Sequence, residues 1–492
     1  MRKWTKAVSL LCAATMVSAL LAGCSSAKKN SSSSTGSSSS SQVTAANAPT
    51  LVWWTIGTQP TNLAQGVAEM NKYTAQKIGV KIDIKVASWG DWDTKMNTII
   101  NAGQSFDMMF TNNTKYNQQV SDGAFEDITS AVQQQTPDLY KAIPENVWKG
   151  TEIGGKVYAV PTYKDSSATQ FWMLDDTYVQ KYHIDVNSIK TMQDLDKPFR
   201  EIKAGEGKNF YPLELTQSDA FSGLLNNYDD MTLGFQPLGV KVTDSSRKVV
   251  SVLEQPDVMA NLKLLHSWYQ DGIINPDAPT ATEPIKHRAF QSAQGWPSAA
   301  ATWETNDGVK KYDLIQVYGP EYTTSSIQGS MNAISANSKY KAEALKYLQL
   351  VNTDSKLRNM LAFGIEGTTF KYDSANVVTK LNDSWSLPAY AQGTFFDMAT
   401  TSDSPSNEWD QVKKQNEEAT ASTCLGFALN TSNLTNQIAN CNEVWNKYRY
   451  ELMTGASDPT TTVPKIVSEL KSAGMGTIQT EAQKQIDAYF KQ

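Results

Sequence analysis

The sequence contains few of the residues on which metal sites and nucleophilic catalysis depend. Its 492 residues include 3 histidines and 4 cysteines. His183, His266 and His287 do not stand in a metal-binding or catalytic spacing, and we find no G-x-S-x-G motif and no phosphate-binding glycine loop. The acidic pairs at residues 175–176 and 229–230 lack the spacing of an EF-hand. We therefore predict a protein that is not an enzyme and that uses no metal and no cofactor.

Clusters of positive charge and long apolar segments are also scarce. The chain has 44 Lys and Arg against 50 Asp and Glu, which gives a formal net charge of −6. Nucleic-acid binding needs a basic patch, and none stands out after the N-terminal segment, so we expect no nucleic-acid partner. After that segment no apolar run approaches the roughly 18 residues that a transmembrane helix needs.

Residues 1–23 have the pattern of a secretory signal peptide. Arg2, Lys3 and Lys6 precede an apolar stretch that ends in Leu-Ala-Gly-Cys at residues 21–24. These four residues resemble a bacterial lipobox, in which the cysteine, here Cys24, is lipidated and becomes the first mature residue. A Ser-rich tether follows within residues 24–48, and it cannot form a core. We therefore expect a protein anchored by lipid to the extracellular face of a cell membrane, as in Gram-positive bacteria.

Strand and helix patterns alternate directly after the tether. Residues 50–56 read TLVWWTI, residues 80–86 alternate between apolar and charged side chains, and residues 106–110 form a third apolar run. Helical patterns lie between these strands. This order is typical of a parallel α/β sheet, in which ligands bind beyond the carboxyl ends of the strands. From about residue 385 onward the pattern is largely helical.

Several short motifs, taken in order, resemble the bacterial extracellular solute-binding proteins of the sugar-binding type that serve ABC importers. They are DGAFEDI at residues 122–128, IGGKVYAVP at 153–161 and MNAISANSK at 331–339. Where that family usually has Y-N-K-x-x-F, this chain has QFWMLDDTY at residues 170–178. The C-terminal part, with Trp445 and Tyr448, is similar to the LplA-type lipoprotein branch. The resemblance implies a two-lobed α/β fold of the periplasmic-binding-protein type II, with a hinge and a helical C-terminal part.

The resemblance also implies how the chain is divided and what it does. One lobe would contain residues 49–162 and about 330–375, and the other would contain residues 163–329 and about 376–492. A monomer would capture a carbohydrate in the cleft between the lobes and deliver it to the permease of an ABC transporter. The many aromatic residues favour an oligosaccharide. A surface-anchored glycoside hydrolase, with Glu304 and Glu366 as carboxylates to consider, and a ligand-sensing subunit of a membrane receptor stay open as alternatives.

A sugar site needs aromatic rings for the apolar face of the sugar and polar side chains for its hydroxyl groups. Trp53, Trp54, Trp89 and Trp92 lie near predicted strand ends, although neighbouring strand residues such as Trp53 and Trp54 must point to opposite faces. Each aromatic residue could instead belong to a core. The predicted ligand-binding residues are Trp54, Asn112, Tyr116, Tyr163, Asp165, Trp172, Trp296, Trp303, Asn332 and Glu366.

Only two cysteines follow residue 24, at Cys424 and Cys441. In an exported protein such a pair can form a disulfide bond, which would stabilise the fold by about 3 kcal/mol for a loop of this size. Two buried thiols are the alternative. We predict the disulfide.

Overall fold

The computed structural model describes residues 47–491 apart from residues 218–220, 222, 283–288 and 375. The predicted signal peptide, the lipidation site Cys24 and most of the tether lie outside the described residues. Within the described part, none of the helices combines the length and the apolar character that a membrane span requires.

The first lobe is built on a five-stranded sheet. Strand β1 (Thr50–Ile56) pairs in parallel with β2 (Lys81–Ala87) and with β3 (Met108–Thr111). Helices α1 (Leu63–Lys77) and α2 (Trp92–Asn101) connect them. The predicted alternation of strand and helix is confirmed, and so is the parallel pairing. Consequently, the carboxyl ends of these three strands meet at one edge of the sheet.

Short elements complete the first pass through this lobe. They are α3 (Tyr116–Ser121), α4 (Thr129–Gln135), α5 (Pro137–Ala142), α6 (Glu145–Gly150), β4 (Glu152–Ile153), β5 (Lys156–Val157) and β6 (Ala159–Pro161). Strands β4 and β5 form a small hairpin, whereas β6 joins the five-stranded sheet as an edge strand.

The chain then builds the second lobe. Its elements are β7 (Ala168–Asp175), α7 (Asp176–Tyr182), α8 (Asp196–Glu206), β8 (Tyr228–Asp229), β9 (Leu238–Lys241), β10 (Val249–Ser251), α9 (Pro256–Gln270), β11 (Phe290–Gln294), α10 (Ala300–Asp307) and β12 (Tyr312–Tyr322). Strand β7 lies between β11 and β12, antiparallel to both. All eight of its residues are buried.

The chain returns to the first lobe through α11 (Thr324–Ile327) and β13 (Met331–Ile334). Strand β13 pairs antiparallel with β3 and β6, so the sheet order is β2-β1-β3-β13-β6. The next elements are α12 (Lys341–Thr353), α13 (Ser355–Phe363), β14 (Phe370–Ser374), β15 (Val377–Lys380) and β16 (Thr400–Thr401), of which the three strands form a small sheet.

A helical C-terminal part follows, as predicted. It consists of α14 (Glu408–Glu417), the short strand β17 (Thr420–Ala421), α15 (Thr435–Met453), α16 (Pro459–Ala473) and α17 (Met475–Phe490). The buried faces of α15, α16 and α17 share one hydrophobic core with α8 and α9, so these helices belong to the second lobe.

Alternation along β1 divides the first-lobe core between the two faces of its sheet. Leu51 and Trp53 pack toward α1 and α12, whereas Ile56 packs toward α2. Trp385 and Leu387 also pack in the first of these clusters, although they lie beyond residue 375, where we expect the second lobe to resume. The exact division into lobes stays a prediction.

Because Trp385 and Leu387 pack with the first lobe, we infer that three segments connect the lobes: residues 162–167, 323–330 and 402–407. They contact one another or their flanking helices. The Ser326 hydroxyl donates to the Ser166 carbonyl at 2.9 Å, which joins the first two segments. On α14, the Asn416 side chain accepts from the Ser167 amide at 3.1 Å. We call these three segments the crossing segments.

The predicted disulfide does not form in the structure. Cys424 and Cys441 are both free thiols buried in the second-lobe core. The Cys441 sulfur lies 3.7 Å from the Leu470 carbonyl oxygen on α16. Burial raises the pKa of Cys424 to about 12 and that of Cys441 to about 11, so both thiols stay protonated. The sequence spacing could not show in which direction each Cβ points, and that direction decides whether a disulfide can close.

Candidate ligand-binding site

The carboxyl edge of the first sheet is covered by residues 385–394, which we call the edge segment. The Ser386 hydroxyl donates to the Thr58 carbonyl just after β1, at 3.2 Å. Pro388 packs on Gly57, where an added Cβ would stand 2.5 Å from the proline ring. Only glycine therefore lets the edge segment approach the end of β1 this closely.

Two buried side chains hold the edge segment in place. Arg358 on α13 donates to the carbonyl oxygens of Thr394 at 2.6 Å and Ala389 at 2.8 Å. Asn332 on β13 donates to the carbonyl of Ala391 at 3.0 Å, and its own carbonyl oxygen accepts from the Trp53 indole at 2.9 Å. Because these partners sit on regular elements, they fix an irregular segment in one position.

An aromatic pair lies at this edge, and one of its two rings is exposed. Trp89, two residues after β2, is 54% exposed, and its indole N–H donates to the Tyr390 hydroxyl oxygen at 3.1 Å. The Trp89 ring also meets Phe110 edge to face, with 6.1 Å between centroids. An exposed indole that is fixed by a hydrogen bond and by a ring contact offers a flat apolar surface. Such a surface suits the C–H face of a sugar ring. We call Trp89 and Tyr390 the aromatic platform.

A second group of polar and aromatic side chains lines a cavity of about 310 Å³ in the second lobe, beside the crossing segments. Its lining includes Ala168, Thr323 and Ser325, which lie in or directly beside the crossing segments. Its aromatic and polar lining residues are Phe221, Asn226, Tyr228, Asp229, Asp230, Gln236 and Tyr318. We call it the second-lobe cavity.

One carboxylate connects the second-lobe cavity with a crossing segment, and a second connects it with the residue that follows β17. Asp230 accepts from the Ser325 hydroxyl at 2.7 Å, and Asp229 accepts from the Ser422 hydroxyl at 2.7 Å. Burial, together with the neighbouring charge of Asp230, raises the pKa of Asp229 to about 6. Acceptors of this kind can bind the hydroxyl groups of a neutral ligand.

Glu321, at the end of β12, lies close to this group. Burial and the charge of Asp229 raise its pKa to about 7, and its side chain accepts from the Tyr318 hydroxyl at 3.1 Å. The second-lobe cavity and Glu321 thus combine aromatic rings with hydrogen-bonding groups. They lie next to the crossing segments, about which the lobes would move.

Comparison with known families decides what kind of protein carries these features. Residues 57–356 match the family described as bacterial extracellular solute-binding protein. The chain belongs to this family. Residues 423–491, which contain α15, α16 and α17, match a domain of unknown function, DUF3502. The resemblance inferred from the sequence motifs is therefore confirmed.

Individual relatives of this solute-binding protein extend the match to the full chain. A carbohydrate ABC transporter substrate-binding protein of Streptococcus pneumoniae is 26% identical, and the match covers 100% of this chain and 99% of that protein. The crystal structure of the N-glycan transport solute binding protein NgtS from the same species is also 26% identical. It covers 90% of this chain and 99% of its own, with a TM-score of 0.81. The two-lobed α/β fold is thereby confirmed.

Two further structures of NgtS contain a sugar. The complexes with Man1GlcNAc and Man5GlcNAc cover 90% of this chain and have TM-scores of 0.74 and 0.71. This solute-binding protein is therefore less similar to the two sugar complexes than to the first NgtS structure.

Several predicted ligand-binding residues are instead part of the cores. Trp54 lies on the face of the sheet that α2 covers, with the Lys95 ammonium 4.8 Å from its ring. Tyr116 is fully buried, and its hydroxyl donates to the Thr151 carbonyl at 2.9 Å. Trp172 is buried in the second-lobe core. Tyr116 and Trp172 are therefore corrected to packing roles, whereas a ligand contact for the half-buried Trp54 stays a prediction.

Asn332 is likewise corrected. It is 2% exposed, and its hydrogen bonds hold the edge segment rather than face solvent. Its effect on a ligand would be indirect, through the position of Tyr390.

The other predicted residues lie nearer to the crossing segments or to the surface. Tyr163 and Asp165 are in the first crossing segment, where Asp165 pairs with Lys164 at 2.6 Å. Asn112 directly follows β3, at the carboxyl edge. Burial raises the pKa of Tyr163 to about 12, and its ring lies 4.6 Å from that of Phe396.

Trp296, Trp303 and Glu366 complete the set. The Trp296 indole donates to Glu408 at 3.1 Å, and the Trp303 ring packs over Gly295. Glu366 is exposed in the turn before β14. A ligand contact for these three residues, and for Asn112, Tyr163 and Asp165, stays a prediction.

The sequence signalled some of the remaining site residues but did not identify their role. Trp89 stands at a predicted strand end, yet nothing in the sequence shows that Tyr390, about 300 residues later, would support it. Asp229 and Asp230 attract attention as an acidic pair only in connection with metal binding. Their partners Ser422 and Ser325 are distant in sequence, so the pairs appear only in the folded chain.

Proposed function

We propose that this protein captures an oligosaccharide outside the cell and delivers it to the permease of an ABC transporter. The match to the carbohydrate-transport relative over 100% of this chain carries the proposal. The aromatic platform at the carboxyl edge and the polar second-lobe cavity supply the two kinds of surface that a sugar needs.

Capture would involve a movement of the lobes about the crossing segments. Three connections pass between the lobes, and Asp230 of the second lobe bonds to one of them through Ser325. The lower TM-scores for the two NgtS complexes support an arrangement that changes when sugar binds. Closure would bring the second lobe toward the aromatic platform and exclude water from the ligand.

Calorimetric titration of the purified chain with Man1GlcNAc and Man5GlcNAc tests this proposal, with chromatography of each mixture afterwards. We expect saturable binding and an unchanged sugar. Cleaved sugar would replace the proposal with the hydrolase alternative, and an absence of binding to both sugars would overturn the capture of oligosaccharides of this kind.

Trp89 provides the residue-level test. Replacing it with alanine removes the exposed ring, and we expect affinity to fall about tenfold, which is the loss expected for one aromatic stacking contact. Tyr340→Ala is the matched control, because Tyr340 is also exposed, at 39%. It follows the carboxyl end of β13, which lies at the edge of the sheet opposite to Trp89. Equal affinities for the two variants would contradict a role for the aromatic platform.

We also propose that lipidation of Cys24 retains the protein at the outer face of the cell membrane. The signal-like residues 1–23 and the Leu-Ala-Gly-Cys sequence support this proposal. Cys24→Ala should move the protein from the membrane fraction into the medium or leave it unprocessed, whereas Cys12→Ala should remain in the membrane fraction. Membrane retention of a processed Cys24 variant, from which residues 1–23 have been removed, would argue against the anchor.

A further inference from the structure

Residues 424–430, the loop that follows β17, contact both lobes. Cys424, Phe427 and Leu429 pack in the second-lobe core. Leu425, which lies among them, packs instead in the first-lobe core and is 6% exposed. Both β17 before the loop and α15 after it belong to the second lobe, so the loop reaches the first lobe without carrying the chain across. We call residues 424–430 the latch loop.

Two helices of the first lobe hold the latch loop. The Asn117 side chain on α3 donates a hydrogen bond to the Leu429 carbonyl oxygen. The stem of Lys149 on α6 lies against Gly426, where an added Cβ would stand 3.0 Å from the lysine Cγ. The Gly426 amide donates to the Thr324 hydroxyl, in the second crossing segment, at 2.9 Å. The latch loop therefore bonds the first lobe and a crossing segment together.

The second lobe holds the latch loop through a strained turn. The Leu429 amide donates to the Met231 carbonyl at 3.1 Å. Met231 and Thr232 have φ values of 59° and 61°, a left-handed conformation that is unfavourable for a β-branched residue such as threonine. Asp230 accepts from the Thr232 amide at 3.2 Å and from the Ser325 hydroxyl at 2.7 Å. Strain of this kind persists where the surroundings fix it, and it is concentrated in functional and switching segments.

The C-terminal helix fixes the far end of the latch loop. The Asn430 amide donates to the Gln485 side chain on α17 at 2.9 Å, and the Gln485 side chain donates back to the Asn430 carbonyl at 3.1 Å. The Phe427 ring meets Tyr489 edge to face, with 5.7 Å between centroids. All these residues lie within residues 423–491, the part that matches the domain of unknown function. That domain thus contains both the latch loop and its support.

A movement of the lobes would break the bond from Asn117 to Leu429. Hydrogen bonds join atoms roughly 2.7–3.2 Å apart and weaken steeply beyond that, so a shift of a few ångströms is enough. The structure is less similar to the two sugar complexes of NgtS than to the first NgtS structure. The latch loop therefore joins the lobes in an arrangement that differs from that of the complexes.

We propose that the latch loop holds the lobes in their ligand-free arrangement, and that Asn117 is a positioning residue that opposes capture. Capture must break the bond from Asn117, which lowers the net affinity for the ligand. This inference rests on the proposed function and gives a role to the first residues of the DUF3502 match. Weakening the latch should raise the affinity, because a larger fraction of the free protein then has the arrangement that binds.

Two substitutions at one residue test this role. Asn117→Ala removes the donor, and Asn117→Asp places a carboxylate against the Leu429 carbonyl oxygen. We expect both variants to bind sugar about fivefold more tightly than the unaltered protein, which corresponds to one hydrogen bond of ordinary net strength. Calorimetric titration with Man1GlcNAc and Man5GlcNAc measures the change. Gln118→Ala is the matched control, because this neighbouring amide on α3 is exposed and bonds Asp122 at the end of the same helix, at 2.8 Å. Its affinity should stay within twofold.

A gain in affinity separates this role from a merely structural one, since loss of a structural contact would weaken binding or leave it unchanged. Tighter binding by both Asn117 variants, with the control unchanged, supports the latch. Unchanged or weaker binding by either variant, or an equal gain in the control, overturns it and leaves the proposed function intact. If the unaltered protein binds neither sugar, the proposed function fails and the effect on capture fails with it. Asn117 is only half-buried, so both variants should fold.

Discussion

Arg358 is a fully buried cation whose hydrogen bonds go to uncharged acceptors. It bonds the carbonyls of Thr394 and Ala389 and, at 3.1 Å, the side-chain oxygen of Gln392. Burial lowers the pKa of its guanidinium to about 9, which is still high enough to keep it charged at neutral pH. The rigid fork of an arginine can reach three acceptors at once, and a lysine cannot reproduce that geometry.

We predict that Arg358→Met lowers the free energy of unfolding by about 3 kcal/mol, because it leaves buried acceptors without donors. Urea denaturation measures the change. Arg200→Met is the control: Arg200 pairs with Asp196 and Asp271, but its side chain is 42% exposed, so the loss should stay below about 1 kcal/mol. Similar losses for the two variants would contradict the role given to Arg358.

Individual contacts of this kind are the part of the site that sequence could not provide. The helical pattern around Arg358 predicts a helix, but nothing marks this arginine as buried. The same holds for Asn332, which lies in the motif at residues 331–339 and is predicted to contact a ligand. Its buried position between Trp53 and the edge segment becomes visible only when residues 53, 332 and 391 are brought together.

At the scale of elements, one aspartate connects two helices of the first lobe. Asp354 caps α13 by accepting from the Leu357 amide at 2.9 Å. Its second oxygen accepts from the Tyr73 hydroxyl on α1 at 2.7 Å, and the Lys77 ammonium lies 3.2 Å away. The cap therefore also joins α1 to α13, which carries Arg358.

Asp354→Ala should lower the free energy of unfolding by about 2–3 kcal/mol, since a cap contributes about 1 kcal/mol and the Tyr73 hydroxyl loses its acceptor. Asp458→Ala removes a cap from α16 that bonds only Thr460, and about 1 kcal/mol is expected. Thermal or urea unfolding of the two variants checks the difference. If their losses are equal, the contact between α1 and α13 adds nothing.

Elements were easier to predict than sites because their signals are local. The alternation of residues 80–86 and the apolar run of residues 50–56 identify β2 and β1 within a few residues of their observed bounds. The edge segment has no periodic pattern, since its shape depends on side chains from α13 and β13. The sequence alone therefore does not predict the position of the edge segment, although this segment supports the aromatic platform.

At the scale of the whole molecule, buried acids near the crossing segments connect stability with pH. The pKa values of Glu321 and Asp229 are about 7 and 6 in the folded chain, against ordinary values of 4.5 and 3.8. Between about pH 4 and 7 the folded state therefore holds protons that the unfolded state has already released. Stability contributed by these protons is present at low pH and is lost as pH rises through the folded values.

We predict that the free energy of unfolding falls by on the order of 2 kcal/mol between pH 5 and pH 8. Glu321→Gln should flatten the upper part of this profile. Glu321 faces Tyr318 and Asp229, and Asp229 faces Asp230, so the variant also shows how far the other acids contribute. Urea denaturation at several pH values provides the measurement, and a profile that stays level or rises from pH 5 to 8 would contradict the prediction.

The two-lobed architecture can be predicted from the sequence, because ordered motifs spread over the whole chain resemble one family. The positions of the surfaces that would contact a ligand cannot be predicted in this way. They depend on crossing segments that are distant in the sequence: Ser167, in the first segment, bonds Asn416 on α14, 249 residues later.

The two buried thiols can report how often the folded chain opens locally. A thiol reagent reacts with the ionised form, and burial keeps both Cys424 and Cys441 protonated and out of reach. Each cysteine can be modified only while its surroundings are open. The labelling rates at residues 424 and 441, followed separately by mass spectrometry, would therefore time how often the loop after β17 and the packing between α15 and α16 open.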